Sequence, residues 1–332
     1  MRKSFRLQKI KIVTVLLTSF LFLFFSGCDD SGSASPNNNL TFNVSGLGQL
    51  NTSTDGIYEA WVFFGDPYNY YISCGKFNIN SQGNVVDTNG NAITLKLKYR
   101  PYDFNTAKYS LITVDPPNFT DTIALTGAIK ILGGDAAISG DTLTSVMSMS
   151  YSKALGSVAN SFGSSAASFM LYTPTDTTLT FWFRGLWFCG TDSVSSIGNL
   201  PVLSDTLLWM YQTWIYDGYA HTYAKIGFFK DPSNADDDGA GPFKGNYGSG
   251  YLKPGQDWIQ GSFPVNDLRG ANYAVLISLE PVSGNYPTGF SNHFLQLFYG
   301  ATAGTTIGQL KTIPNKAANL PTATMKIGNL TQ

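Results

Sequence analysis

The sequence contains little charge. Lysine and arginine together number 21 among 332 residues, aspartate and glutamate number 22, and the formal net charge is −1. Proteins that bind nucleic acid usually present a basic surface to the phosphate groups. Because neither the composition nor the sequence pI near 6.1 provides such a surface, we expect no nucleic-acid partner.

Histidine is almost absent. His221 and His293 are the only two, and neither has a cysteine or a second histidine at ligand spacing. A zinc site or a Ser-His-Asp arrangement would therefore depend on partners that only folding brings together. The sequence also lacks G-x-S-x-G, P-loop and dinucleotide-binding motifs. We predict no catalytic residues and a non-enzymatic protein.

No apolar run approaches the roughly 20 residues of a membrane-spanning helix. The clearest one, IVTVLLTSFLFLFF, has 14 residues and follows MRKSFRLQKIK, which carries five basic residues and no acid. This order of charged, apolar and small residues is typical of an export signal. Its end, Phe25-Ser26-Gly27-Cys28, resembles the lipobox of bacterial lipoproteins, although Phe25 stands where an aliphatic residue is usual. The resemblance implies cleavage after residue 27 and lipidation of Cys28. The alternatives are an uncleaved anchor helix and an ordinary signal peptide that is cut elsewhere, and both would still export the chain.

The segment after Cys28, DDSGSASPNNN, is polar and rich in Ser, Asn, Gly and Pro. Such a composition favours a flexible tether, which we assign to residues 28–39. We predict an extracytoplasmic, lipid-anchored protein of the bacterial cell envelope. Asp29 and Asp30 do not decide between the inner and the outer membrane, because acidic residues in that place have different meanings in different bacteria.

Two cysteines remain after Cys28, namely Cys74 and Cys189. An exported chain permits a disulfide between them. They lie in different halves of the chain and at positions that do not correspond. We therefore expect free buried thiols, with the disulfide as the alternative.

Aromatic residues and glycine are abundant: 23 Phe, 18 Tyr, 6 Trp and 34 Gly. Aromatic and β-branched residues between polar turns favour β-strands. Strict alternation in ITLKLKY, residues 93–99, indicates a strand with one wet face, and the apolar run YAVLISL, residues 273–279, indicates a central strand. The one helical candidate is SYSKALGSVANSFG, residues 150–163, whose apolar residues fall on one face.

Several blocks recur in the same order in the two halves of the chain. LTFNVSGL (40–47) is matched by LTFWFRGL (179–186), YEAWV (58–62) by YQTWI (211–215), and DFNTAKYSLITVDP (103–116) by DLRGANYAVLISLEP (267–281). Because a repeat usually corresponds to one structural unit, we predict an all-β protein with two tandem antiparallel β-sandwich-like domains, residues 40–178 and 179–332, after the lipoprotein signal peptide (1–27) and the tether (28–39).

The repeated blocks resemble the extracytoplasmic domain of anti-sigma-K factors. The Tyr-x-x-Trp strand, the Gly-x-Phe strand at 75–77 and 227–229, and the strand that ends in an acid and Pro at 115–116 and 280–281 carry the resemblance. It implies the β-domain fold. It does not imply regulation of a sigma factor, because the cytoplasmic segment that binds the sigma factor has no counterpart before the apolar run.

One loop is densely acidic: DPSNADDDGAGPF, residues 231–243. Oxygen ligands on a loop that glycine can turn sharply suit a hard cation such as Ca²⁺, although the spacing is not that of an EF-hand. The candidate ligands are Asp231, Asn234, Asp236, Asp237 and Asp238. Solvated turn-forming acids are the alternative, and we predict no other cofactor.

Two aromatic clusters, FWFRGLWF (181–188) and YNYY (68–71), are candidates for stacking on a ligand. The residues in question are Trp182, Trp187, Tyr70 and Tyr71. Packing in the core is the alternative, because half of the residues of an alternating strand face inward.

These observations together predict a lipid-anchored structural or binding module of the cell envelope, with an envelope protein or a glycan as its partner. The alternatives are a carbohydrate-active enzyme with carboxylates from the acidic loop and Glu280, and a Ca²⁺-stabilised adhesion module.

Overall fold

The computed structural model describes residues 40–99, 101, 103–117, 128–176, 178–260, 267–282, 290–291 and 293–328. The predicted signal peptide and tether, with Cys28, lie outside the described residues. No helix among the described residues is long and apolar enough to cross a membrane.

The described chain is built from strands with four short 3-10 helices. In chain order the strands are β1 (Leu40–Ser45), β2 (Ile57–Phe64), β3 (Tyr70–Ile79), β4 (Val85–Val86), β5 (Ala107–Asp115), β6 (Ile129–Ser139), β7 (Thr142–Ser148), β8 (Ala166–Leu171), β9 (Gly185–Trp187), β10 (Ile197–Gly198), β11 (Trp209–Asp217), β12 (Thr222–Phe229), β13 (Gly255–Asp257), β14 (Tyr273–Pro281), β15 (Gln296–Ala301), β16 (Leu310–Ile313) and β17 (Thr322–Ile327). They form antiparallel sheets of eight, five and four strands. The all-β, sandwich-like prediction is confirmed.

One hydrophobic core lies against all three sheets. In β2 the side chains of Tyr58, Ala60 and Val62 belong to this core. Successive side chains of a strand point to opposite faces, so Glu59 and Trp61 lie on the other face of the sheet. We call that second face the outer face.

The repeat predicted from the sequence is visible in the strand order. The eight-stranded sheet contains the run β6-β5-β2-β3, and the four-stranded sheet is the corresponding run β15-β14-β11-β12. The hairpin of each run has an irregularity at the same place, between Ala60 and Trp61 in β2 and between Thr213 and Trp214 in β11. A shared bulge at equivalent residues is typical of two copies of one unit.

The sheets do not follow the boundary predicted between residues 178 and 179. Strand β17, at the end of the second half, lies between β1 and β7 of the first half. Strand β8, at the end of the first half, lies between β9 and β16 of the second half. The two halves thus exchange their last strands, and the described residues all belong to a single compact unit.

The exchange also corrects the first block of the repeat. Residues Leu179–Arg184, LTFWFR, form a 3-10 helix and not a strand. Leu40 pairs with Ile327 of β17, and Leu186 pairs with Leu171 of β8. Two segments are equivalent when they occupy the same position in the sheet, even if another segment matches better in sequence. The counterpart of LTF at residues 40–42 is therefore LWF at residues 186–188.

Of the remaining local predictions, the strand at residues 93–99 is wrong, because these residues form no strand, although Leu95 and Leu97 are buried as the alternation predicts. The segment predicted to be helical, residues 150–163, is helical only in its second half, where it overlaps the 3-10 helix Gly156–Ser164 that buries Phe162. Every residue of β14 is buried, as expected of a central strand. Cys74 and Cys189 are free buried thiols, and burial raises the pKa of Cys189 to about 12.

Candidate functional site

The outer face of the first half holds a buried polar chain that begins at Trp61. The indole Nε1 donates to Thr113 Oγ1 at 3.0 Å, and the Thr113 hydroxyl donates to Asp115 Oδ1 at 3.1 Å. Thr113 and Asp115 are almost completely buried on β5. Their places follow from alternation, since the neighbours Ile112 and Val114 face the core.

A second carboxyl group and an ammonium complete this chain. Lys76 Nζ lies 2.7 Å from Asp115 Oδ2 and 3.6 Å from Glu59 Oε2. The Ser73 hydroxyl donates to Glu59 Oε1. Burial, followed by a hydrogen bond with Asp115, raises the pKa of Glu59 to about 7. We call Trp61, Thr113, Asp115, Glu59, Lys76 and Ser73 the first network.

The second half repeats the same chain with different residues. Trp214 Nε1 donates to Ser278 Oγ at 2.9 Å, and Ser278 donates to Glu280 Oε1 at 2.6 Å. The basic partner is His293, whose Nδ1 lies 3.1 Å from Glu280 Oε1 and whose ring packs against Trp214 with the ring centres 4.0 Å apart. We call these four residues the second network. Its basic group comes from the segment before β15 and not from a strand.

Beside the first network the outer face becomes aromatic. Phe63 stacks on Tyr109 with the ring centres 4.7 Å apart and packs against Tyr71 at 4.8 Å. The hydroxyls of Tyr71 and Tyr109 lie 2.7 Å apart. Tyr151 adjoins Tyr109 at 6.0 Å, so that the rings form one row across the sheet, which we call the aromatic row.

The aromatic row ends in polar and exposed groups. The Tyr151 hydroxyl donates to Asp135 Oδ1 at 2.9 Å, and Tyr99, 51% exposed, donates to the backbone oxygen of Tyr71. Gly133 is required below Tyr151, because a Cβ there would lie 2.4 Å from a ring carbon. Burial raises the pKa of Tyr151 to about 12, so this phenol stays protonated at neutral pH.

The predicted stacking residues do not lie together. Tyr71 belongs to the aromatic row, whereas its neighbour Tyr70 packs on Phe64 at the side of the core. Trp187 is completely buried, and its Nε1 donates to Asp257 at 2.7 Å, so its ring is a core ring and the stacking assignment is wrong for it. Trp182 is half-buried against Tyr172. Their positions in the folded chain, which the sequence alone does not reveal, separate these four residues.

The acidic loop divides into two parts. Asp231 closes a turn by accepting from the backbone N–H of Ser233 and from Asn234 Nδ2. Asp236, Asp237 and Asp238 form a separate group whose ligand atoms lie within 4.8 Å of one another. The five predicted ligands are therefore not one site.

Sequence reasoning missed both networks. Asp115 and Glu280 precede proline and suggest turn residues, yet they are buried strand residues that bind a basic group. One signal was available. In each half one strand carries a tryptophan, and the neighbouring strand carries a hydroxyl residue followed two positions later by an acid. Residues two positions apart share one face of a strand, so this repeated pattern places the three polar groups together.

Comparison of the chain with protein-family models, with curated proteins and with solved structures finds no match. The resemblance to the anti-sigma-K domain therefore stays a prediction from the repeated motifs.

Proposed function

We propose that this chain is a lipid-anchored, non-enzymatic binding module of the bacterial cell envelope, and that the aromatic row of the first half binds a glycan. The single observation that carries the binding proposal is the aromatic row itself. It places apolar rings, hydroxyls and a carboxylate side by side on the outer face of the sheet.

The chemistry of the aromatic row suits a polyhydroxylated ligand. Sugar rings offer apolar C–H faces and hydroxyl groups together, and aromatic side chains with polar tips match both. Tyr99 and Tyr151 present hydroxyls, and Asp135 is exposed and provides an acceptor. A neutral glycan also fits a chain with net charge −1, which offers no strong field to an ionic partner.

Binding is tested by sedimentation of the purified full-length chain with insoluble peptidoglycan sacculi, chitin, cellulose and starch. We expect one of these polymers to carry the protein into the pellet. The variants Tyr99→Ala and Tyr151→Phe should weaken binding several-fold, because stacking and hydrogen bonds each contribute about 1 kcal/mol.

Tyr247→Ala is the matched control, since Tyr247 is 59% exposed and lies in the loop between β12 and β13. It should bind like the wild type. No sedimentation with any of the polymers, or equal losses in all three variants, would overturn the glycan proposal.

The anchor has a separate test. Cells that produce the wild type or Cys28→Ala are grown with a radioactive fatty acid, and the label on the immunoprecipitated chain is measured. Label on the wild type only is expected. Equal label on both chains would contradict lipidation of Cys28 and leave the binding proposal intact.

The geometry favours binding over hydrolysis. Glu280 contacts Ser278, Phe290 and His293, and among the described residues no aspartate of the acidic loop is its hydrogen-bond partner. The single ammonium of Lys76 binds both Asp115 and Glu59, at 2.7 Å and 3.6 Å, so it occupies the space beside these two carboxylates. A two-carboxylate glycosidase keeps these groups about 5 Å or more apart so that the sugar fits between them.

A further inference from the structure

The group formed by Asp236, Asp237 and Asp238 combines exposed and buried carboxylates. Asp237 and Asp238 are exposed, whereas Asp236 is only 8% exposed. One candidate ligand oxygen from each lies within 4.8 Å of the other two. Three like charges so close together repel one another unless a cation or a proton intervenes.

The two carboxylate oxygens of Asp236 differ in their hydrogen bonding. Its Oδ2 accepts from the backbone N–H of Gly255 at 2.9 Å, which ties the loop to β13. Its Oδ1 is buried and has no hydrogen-bond partner among the described residues. A buried carboxylate oxygen without a partner is unfavourable, and buried charges in proteins are normally paired or bound to metal.

The charge balance around the group is incomplete. Lys225 Nζ lies 3.0 Å from Asp237 Oδ2, and the Phe228 N–H donates to Asp237 Oδ1. One ammonium against three carboxylates leaves a formal charge of −2 when all are ionised. That is the charge that a divalent cation neutralises.

We propose that Asp236, Asp237 and Asp238 form a Ca²⁺ site, with the unpartnered Oδ1 of Asp236 as its buried ligand. Carboxylate oxygens on a loop are the ligands that Ca²⁺ accepts in flexible geometry, whereas Mg²⁺ demands a near-ideal octahedron. Asp231 and Asn234 are excluded from this site, because they bind each other and the turn at residues 231–234.

The site would join the loop to β13 through Asp236. Because Ca²⁺ would bind the folded loop and not the unfolded chain, it should stabilise the whole fold. Modules that meet extracellular calcium bind it with dissociation constants on the order of 0.1 to 1 mM, and we expect this range here.

The test is calcium titration of the purified full-length chain, freed of divalent ions, by calorimetry and by thermal melting. Wild type should release or absorb heat with about one site and show a higher Tm with calcium. Asp236→Asn and Asp238→Asn should bind at least about tenfold more weakly. Asp238 is exposed, so its variant leaves the fold intact, and Asp236→Asn keeps the side-chain shape.

Asp231→Asn is the matched control, because it removes the same charge from the same loop. It should bind calcium like the wild type. Two outcomes would overturn the proposal: no binding and no shift in Tm at up to about 20 mM calcium, or equal weakening by Asp231→Asn and Asp238→Asn. Equal shifts with magnesium would show general screening of charge and would also overturn it.

Discussion

At the scale of single residues, both halves provide hydrogen-bond partners for a tryptophan indole and a buried carboxylate in the same way. A buried indole N–H needs an acceptor, and a buried carboxylate needs donors. In each half one hydroxyl, of Thr113 or Ser278, meets both needs by accepting from tryptophan and donating to an acid. The equivalence of the networks therefore rests on hydrogen-bond chemistry, although the basic partner differs.

We expect Thr113→Val and Ser278→Ala each to lower the free energy of unfolding by about 1 to 3 kcal/mol. Each change leaves an indole N–H and a buried carboxylate without this hydroxyl. Urea denaturation measures the loss. Thr94→Val is the control, since Thr94 is exposed and should change stability by less than about 0.5 kcal/mol. Losses confined to one half would contradict the equivalence of the two networks.

Glu59 makes stability depend on pH. Its pKa is raised from 4.5 to about 7 in the folded chain. The folded state therefore holds this proton more tightly than the unfolded state does. The contribution is fully present below pH 4.5 and is lost as the pH rises to about 7.

Glu59→Gln should remove this part of the pH dependence, because glutamine does not ionise. Urea denaturation of both chains between pH 4.5 and 8 measures it, and the stability of the variant relative to wild type should rise across that interval. Parallel curves would show that Glu59 does not titrate in this range.

At the scale of elements, the alternation of apolar and polar residues predicts burial better than it predicts the strands themselves, since residues 93–99 form no strand. The alternation of ITLKLKY is reproduced in burial, with Leu95 and Leu97 in the core and Lys96 and Lys98 exposed. The analogy with LTFNVS predicts a strand at LTFWFR, but these residues form a 3-10 helix. The local sequence does not determine this conformation, because Leu186 and Trp187 occupy the position beside β8.

Strand β17 is the element on which the eight-stranded sheet depends. It pairs with β1 on one side and with β7 on the other, and it buries Met325 and Ile327. A chain that stops after residue 321 would leave two unpaired strand edges and an open core. We expect it to lose cooperative thermal unfolding, measured by circular dichroism.

The control for this truncation is a chain that stops after Gly328, immediately beyond β17. It should melt like the full chain. If the chain lacking β17 melted cooperatively at the same temperature, β17 would not be part of the stable fold.

At the scale of the whole molecule, the reciprocal exchange of β8 and β17 makes each half incomplete without the other. The two predicted repeats, 40–178 and 179–332, were expected to be separate sandwiches. The repeat survives in strand order and in the bulges at Trp61 and Trp214, but the sheets are shared.

We expect neither 40–178 nor 179–332 to be a folded monomer when produced alone. Each would lack the strand that fills its sheet and would offer an extra strand to another chain. Size-exclusion chromatography with light scattering and circular dichroism should show association or unfolding. A monomeric half with a cooperative melt would contradict the exchange.

The sequence by itself determined the strand content and the alternation of buried and exposed residues. These properties depend on side chains within a few residues of one another, so periodicity reports them. Tertiary structure alone decided which strands pair across the halves, which aromatic residues reach the outer face together, and which aspartates meet. Asp115 and Lys76, or Trp187 and Asp257, are far apart in the chain, and only the packing of sheets on one core brings such groups into contact.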